Sequence, residues 1–381
     1  MLLKTLARLL DLFRQALFPR PFPGPGRYLR RLAVLIPFLL LFVPLQLLHW
    51  LGFLLDEILF RRYRDIAIHR PLFILGVPRS GTTYLHRLLA CDRRFSTLST
   101  WECLFAPSIS QRYLLLGVAA VDRRLGAPLG RLLHWLERTV LGSLDDVHPM
   151  SLSAAEEDYL VLLPLLCCFL LVVPFPQARW LWRMGQFDRE VDDREQQWVM
   201  DWYAHCLQKH LYVHGSDLTL LSKNAAFAGM ANSLAERFAD STLVVCERDA
   251  AQVIGSQFNS LAGGLTLFGI AADDPRFRSE LLNCLQFYYE NLDRVRRSLG
   301  EERTLTVTAR ELAHQPRATV TGIYHALGWD LAPDVETELR LTEARQQAHR
   351  PQPQPPLSRW GLDETLIRRR FGAWCQSEAQ L

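Results

Sequence analysis

Apolar residues recur at helical spacing from residue 2 to 17, with Leu2, Leu3, Leu6, Leu9, Leu10, Phe13 and Leu17 on one face and Lys4, Arg8 and Arg14 on the other. This pattern predicts a basic amphipathic helix suited to an anionic membrane surface. Pro19, Pro21, Pro23, Gly24, Pro25 and Gly26 make a linker, which sets residues 1–26 apart. From Leu32 to Leu55 there is no charged side chain. A helix of roughly 24 residues reaches ~36 Å, enough for a hydrocarbon core of ~30 Å. Pro37 and Pro44 lie inside the run and Gln46 and His49 dilute it, so a kinked or re-entrant segment fits equally well. Arg27, Arg30 and Arg31 precede it and Arg61, Arg62 and Arg64 follow, so the positive-inside rule has little to choose between. The basic region ahead of the run is too long for a cleaved signal peptide, and no A-x-A-like site follows. Residues 27–65 are expected to form a membrane-associating segment, either attached to one leaflet or spanning, with a buried helical hairpin packed on the catalytic domain as the alternative.

Beyond it the pattern changes to short apolar runs followed by helical stretches, the alternation of an α/β chain with a buried parallel sheet. Leu72 to Val77 predicts one strand, Leu218 to Ser222 a second and Thr242 to Glu247 a third. Leu160 to Phe175 is apolar but holds Pro164 and Pro174, and is expected to be a core helix near a greasy substrate site. The segment Pro351 to Pro356 predicts a linker. The catalytic domain is accordingly placed at residues 70–372, with 351–372 as a C-terminal lid carrying Arg359 to Phe371 and 373–381 as a tail.

Composition narrows the class. The 381 residues are 49% hydrophobic and 22% charged, which excludes a disordered chain. Forty-three basic against 40 acidic residues give a net charge of +3, too balanced for a nucleic-acid binder without a concentrated patch. Only Lys4, Lys209 and Lys223 are lysines, so a lysine at a chemically special place stands out. The 8 cysteines have no C-x-x-C pair and are expected to be buried free thiols. With no Asn-x-Ser/Thr acceptor, the composition favours a cytosolic catalytic domain.

The chemistry concentrates after the first strand. Pro78-Arg79-Ser80-Gly81-Thr82-Thr83 joins it to a helix beginning near Tyr84, the order an anion site needs, because helix N-terminal amides point at the ligand. Gly76 and Gly81 are spaced as in the P-loop of a nucleoside triphosphatase, but Thr82 stands where the P-loop lysine would be and Arg79 supplies the charge inside the loop. The third strand ends at Arg248, and Ser256 lies eight positions on, in the second turn of the next helix; a guanidinium and a hydroxyl so placed can close on one phosphate. His86 is expected to face outward or to pack along the first helix.

The two motifs together resemble those of sulfotransferases that use 3′-phosphoadenylyl sulfate (PAPS), in the membrane-associated or bacterial-type branch that carries arginine in the 5′-phosphosulfate loop. Thr100-Trp101-Glu102, His148-Pro149 with Glu156-Glu157-Asp158, Ser222-Lys223-Asn224 and the stretch Ile367 to Phe371 resemble further stations of that pattern. Lys223 is followed by Asn-Ala where Ser-Pro is usual, and Ala309-Arg310-Glu311-Leu312 replaces the common Tyr-Glu-Asp-Leu. The resemblance implies a three-layer, P-loop-like α/β fold with a central parallel sheet and PAPS as sulfuryl donor, with no metal. It assigns Ser80, Gly81, Thr82 and Thr83 to the 5′-phosphate, Arg248 and Ser256 to the 3′-phosphate, Arg79 to the bridging and sulfuryl oxygens and Lys223 to the transferring group. Glu102 is the expected base, with His148 in reserve. The hydrophobic front end points to a lipid or other amphiphilic acceptor, and to a catalytic domain on the cytoplasmic face. A Golgi-type carbohydrate or protein sulfotransferase and an inactive membrane-attached nucleotide-binding module are the alternatives.

Overall fold

The computed structural model describes residues 2–20, 22, 24–136, 157–271, 273–347 and 357–375. Five parallel strands form one sheet: β1 (Leu72–Gly76), β2 (Phe95–Ser96), β3 (Thr219–Lys223), β4 (Thr242–Glu247) and β5 (Thr304–Thr308), in the order β2-β3-β1-β4-β5. Leu72 pairs with Leu221 on one side and Thr242 on the other. Their alternating side chains feed two cores, with Phe73, Leu75, Leu243 and Val245 on one face and Leu72, Ile74, Val244 and Cys246 on the opposite one. Because both faces are buried the strands read as continuous apolar runs, and the sheet is the middle of three layers. The chain runs outward from β1, returns at β3 and then crosses to β4, so the C-terminal ends of β1, β3 and β4 surround a topological switch point.

Six helices belong to the first third: α1 (Leu2–Leu17), α2 (Pro25–Leu59), α3 (Thr82–Leu89), α4 (Thr100–Phe105), α5 (Ile109–Arg124) and α6 (Pro128–Leu136). Then follow α7 (Arg179–Gly185), α8 (Phe187–Glu190), α9 (Asp193–His214), α10 (Ala231–Arg237), α11 (Ala250–Leu267) and α12 (Pro275–Leu299). The last four are α13 (Ala309–His314), α14 (Pro316–Leu327), α15 (Pro333–Gln347) and α16 (Glu364–Phe371). The apolar stretch after residue 157 departs from the expected core helix. It forms two 3₁₀ segments, Asp158–Leu165 and Phe169–Val172, broken at Leu166 with φ +56°. Pro164 removes an amide donor from any longer helix, while Val161, Leu162 and Leu165 still bury completely. In the segment expected as a lid, Trp360 and Phe371 are buried, and Arg370 donates to Gln286 and Asn283 on α12. The linker at 351–356 lies outside the described residues. Six cysteines are buried as expected, but Cys91 is exposed and Cys375 partly so.

The long apolar helix α2 is continuous through Pro37 and Pro44 and is fixed to the body by polar side chains on its inner face. Arg31 donates to the Phe268 and Pro174 carbonyls. Near its other end Asp56 is fully buried, accepts from the Ile109 and Ser110 amides and pairs with Lys209 Nζ at 2.9 Å. Removing one partner of such a pair strands the other charge in the interior. Asp56→Ala is therefore expected to destabilise the protein by about 3–5 kcal/mol in denaturant unfolding, with Asp56→Ala/Lys209→Met recovering part of the loss.

Candidate active site

The loop after β1 is shaped by close backbone approach. A Cβ at Gly76 would collide with the Ser80 side chain and meet the Cys246 carbonyl at 2.8 Å, so only glycine lets the loop lie this near β4. Arg79 and Gly81 take left-handed backbone, φ +73° and +94°. That conformation costs an arginine roughly 1–3 kcal/mol and persists only where the surroundings hold it. The hold is visible: Arg248 Nη1 donates to the Arg79 carbonyl at 2.8 Å, and Arg79 Nε donates to Ser256 Oγ at 3.0 Å. Gly81 starts α3 without a side-chain cap, and the buried Ser80 Oγ has no hydrogen-bond partner. An uncapped helix start beside an orphaned hydroxyl suits an anion's oxygens.

Burial lowers the pKa of both arginines, and the charge of Arg248 lowers that of Arg79 further. Arg248 forms no ion pair among the described residues, and Tyr289 OH from α12 steadies it by donating to its carbonyl at 3.0 Å. Asp249 caps α11 by accepting from Gln252 N at 3.0 Å, and this sets Ser256 one turn further in, beside Arg79. Two guanidinium groups and a hydroxyl from β4, α11 and the loop thus converge at one end of the sheet.

Lys223 closes β3, opposite Ile74, with 1% of its surface exposed. Its Nζ meets Glu157 Oε1 at 3.0 Å. The neighbouring Asp158 is buried, accepts from Tyr203 OH at 2.6 Å and leaves Oδ1 without a partner; Tyr203 OH also contacts Ser222 Oγ at 2.9 Å. Burial pushes Asp158 up to about 7, against the lowering effect of Tyr203, Ser222 and Lys223. His86 does not face outward. It is wholly buried, with Nε2 2.7 Å from Thr97 Oγ1, and burial with the Lys223 charge pushes it down to about 3, so it is neutral at pH 7. An amphipathic reading of α3 misses this because the helix buries almost all round.

Glu102 has a different neighbourhood from the one expected of a base. It forms the capping box of α4 with Ser99 and lies 2.7 Å from His214 Nε2, 3.3 Å from His210 Nδ1 and 3.6 Å from Arg112 Nη1. Burial would raise its pKa, but hydrogen bonds with the two histidines and the charge of Arg112 outweigh this and hold the carboxyl far below the usual range. These contacts also tie α4 to α5 and α9. Glu102, His210 and His214 place one donor atom each within 4.8 Å, as a metal site would, yet Arg112 already brings a positive charge 3.3 Å from His210. His148 and Glu156 lie outside the described residues.

A model of the sulfotransferase family matches residues 71–333. The chain belongs to the sulfotransferase family. No curated protein matches it in sequence. In structure this sulfotransferase is similar to STF1 from Mycobacterium tuberculosis H37Rv, with a TM-score of 0.73 at 18% identity over 97% of this chain and 92% of that one. It is similar also to sulfotransferase STF9 from Mycobacterium avium, with a TM-score of 0.66 at 20% identity over 85% of this chain and 80% of that one. At such identities the likeness is one of fold. It matches the five-stranded parallel sheet, the architecture expected from the sequence.

Glu157, Asp158 and Tyr203 gather beside Lys223 and Ser222, and the sequence pattern leaves their roles open. The acidic pair is visible as a motif, but its neighbour Lys223 is 66 residues away and only the fold joins them. Tyr203 carries no local signal. Asp158 has a measurable consequence. Its pKa is raised from 3.8 to about 7, so the folded state binds the extra proton, and its contribution to stability is full below about pH 4 and lost as pH rises through 7. Asp158→Asn is expected to flatten the fall in stability between those limits, read from unfolding midpoints across the range.

Proposed function

We propose that the protein transfers the sulfuryl group of PAPS to a hydroxyl or amine of a lipid or other amphiphilic acceptor at a membrane, with the catalytic body on the cytoplasmic face. The observation that carries the donor assignment is the contact of Arg79 with Ser256 and of Arg248 with the Arg79 carbonyl. It gathers partly buried positive charge between two places where an anion can sit, one over the start of α3 and one beside Ser256. A nucleotide with a 5′-phosphosulfate and a separate 3′-phosphate matches two such places, whereas a triphosphate would need the lysine that Thr82 replaces. The orphaned Ser80 hydroxyl and the cradle at Gly76 fit the 5′ end. In this reading Ser80, Gly81, Thr82 and Thr83 hold the 5′-phosphate, Arg248 and Ser256 the 3′-phosphate, and Arg79 the bridging and sulfuryl oxygens.

Lys223 supplies charge to the transferring group, and the ion pair it makes with Glu157 gives that carboxylate its role. When Lys223 turns to the sulfuryl oxygens, Glu157 is released to accept the proton of the acceptor hydroxyl. The acceptor oxygen bonds to sulfur as the bond from sulfur to the 5′-phosphate oxygen breaks, and the charge growing on that phosphate is met by Arg79 and the loop amides. Glu157 is partly exposed where Lys223 is not, so an acceptor can reach it. A hydrophobic acceptor is supported by the packing of α2 on the Asp158–Leu165 segment, where Trp50 Nε1 donates to the Pro164 carbonyl at 3.1 Å.

Incubation with ³⁵S-labelled PAPS and total lipid extract tests the reading: label should move to the organic phase with release of 3′-phosphoadenosine 5′-phosphate, PAP. PAP binding without transfer to lipids, glycans or peptides would instead favour an inactive nucleotide-binding module. Glu157→Gln is expected to lower turnover by about 10²–10⁴-fold while stabilisation by PAP is kept. Glu102→Gln should mainly lower the melting temperature, and a selective loss of turnover in that variant would return the base to Glu102.

A further inference from the structure

The front of the molecule turns much of its apolar surface outward. Of the basic residues of α1, Arg8 is buried, ion-pairs with Glu195 and donates to Cys167, whereas Lys4 meets Glu195 at 2.6 Å from a half-exposed position and Arg14 is exposed. The leucine face of α1 is turned out, with Leu3 at 81% exposure. The same arrangement continues on the neighbouring helices. α2 exposes Leu41 at 75%, α5 exposes Leu114 at 66%, and α6 exposes Leu133 at 55%. α1 packs on α2, α2 on α5 and α5 on α6, so these outward faces adjoin one another. Most of the large hydrophobic side chains exposed among the described residues lie on these four helices.

The charges of the four helices are sorted in the same sense. Their acids are all engaged: Asp56 with Lys209, Glu57 with Arg64, Asp11 with Arg14 and Trp180, and Asp122 with the Leu129 and Gly130 amides at the corner between α5 and α6. Exposed arginines stand at the helix ends instead, Arg27 and Arg30 at the start of α2, Arg61 and Arg62 just after it and Arg124 at the end of α5. A surface rich in leucine, poor in aromatic anchors and flanked by arginine differs from the usual core of a protein interface and suits acyl chains beneath anionic headgroups.

We infer that α1, α2, α5 and α6 together form a monotopic platform that lies in one leaflet of an anionic bilayer, and that α2 does not cross it. The polar contacts that fix α2 to the body run from Arg31 through His49, 3.1 Å from the Leu104 carbonyl, to Asp56. At ~1.5 Å per residue this is ~38 Å of helix, longer than the ~30 Å hydrocarbon core, so no free stretch remains that could span it. The platform deepens the membrane part of the proposed function and is independent of the sulfuryl chemistry. It also brings the interface to the Asp158–Leu165 segment, whose first residue lies beside Lys223's partner.

The test uses the full chain with Cys91→Ser and Cys375→Ser, carrying Leu41→Cys, Leu116→Cys or Leu132→Cys labelled with an environment-sensitive fluorophore. Phosphatidylcholine vesicles containing phosphatidylglycerol should shift all three labels to an apolar environment, and vesicles of phosphatidylcholine alone should do so more weakly. Leu116→Glu with Leu132→Glu should cut vesicle flotation at least tenfold and leave thermal stabilisation by PAP unchanged. A response at position 41 alone, with that double variant floating like the parent, would overturn the platform in favour of α2 entering by itself. Labels already shielded without vesicles, in a protein that sediments as a dimer, would overturn it in favour of a second copy. Loss of PAP binding with flotation intact would count against the proposed function and leave the platform standing.

Discussion

Two arginines meet at one place, Arg79 in the loop after β1 and Arg248 just after β4, and the hydrogen bond from Arg248 to the Arg79 carbonyl organises this end of the molecule. Arg79 and Arg248 are both partly buried, and the guanidinium of Arg248 grips the Arg79 carbonyl, which keeps Arg79 in its left-handed backbone and its side chain against Ser256. Like charges held this close favour an anion beside them. They meet at the C-terminal ends of β1 and β4, where the loop amides already favour an anion. The strain in the loop, the glycine at position 76 and the cap that positions α11 all follow from keeping the two groups together.

The second constraint lies at the opposite extreme of polarity. α2 is apolar enough along its outer side to enter a membrane, yet its inner side carries Arg31, His49 and Asp56, each bonded to the body. The helix is therefore part of the catalytic structure and not a tether. Its contact with Pro164 ties it to the 3₁₀ segment that begins at Asp158, so the leucine-rich outer layer and the Lys223 cluster share a wall. An amphiphilic acceptor could keep its tail at the interface while its hydroxyl reached Glu157.

Much of the sheet was legible because parallel strands buried on both faces leave unbroken apolar runs, as at Leu72 to Gly76 and Thr242 to Glu247. The phosphate loop was legible because its residue types are demanded locally, glycine for backbone approach and hydroxyls for donors. What escaped were partnerships across the fold. The orientation of α1 is hidden in the sequence because spacing separates two faces without saying which is buried, and Glu195, which claims Arg8, lies 187 residues away. Glu102 looks available until Arg112, His210 and His214 are placed around it. The helix expected over Leu160 to Phe175 fails at Pro164, a breaker that hydropathy alone undervalues.

The central claim is that Arg248 and Ser256 read a 3′-phosphate while the loop holds the 5′ end. Titration calorimetry of PAP and of adenosine 5′-monophosphate against the parent protein and Arg248→Ala tests it most directly. Charge-assisted hydrogen bonds of about 1.5–3 kcal/mol predict that the parent prefers PAP by at least ~10–100-fold and that Arg248→Ala abolishes most of that preference, weakening the monophosphate much less than PAP. Equal affinity for the two nucleotides in the parent protein, or a preference for PAP that survives in Arg248→Ala, would contradict it.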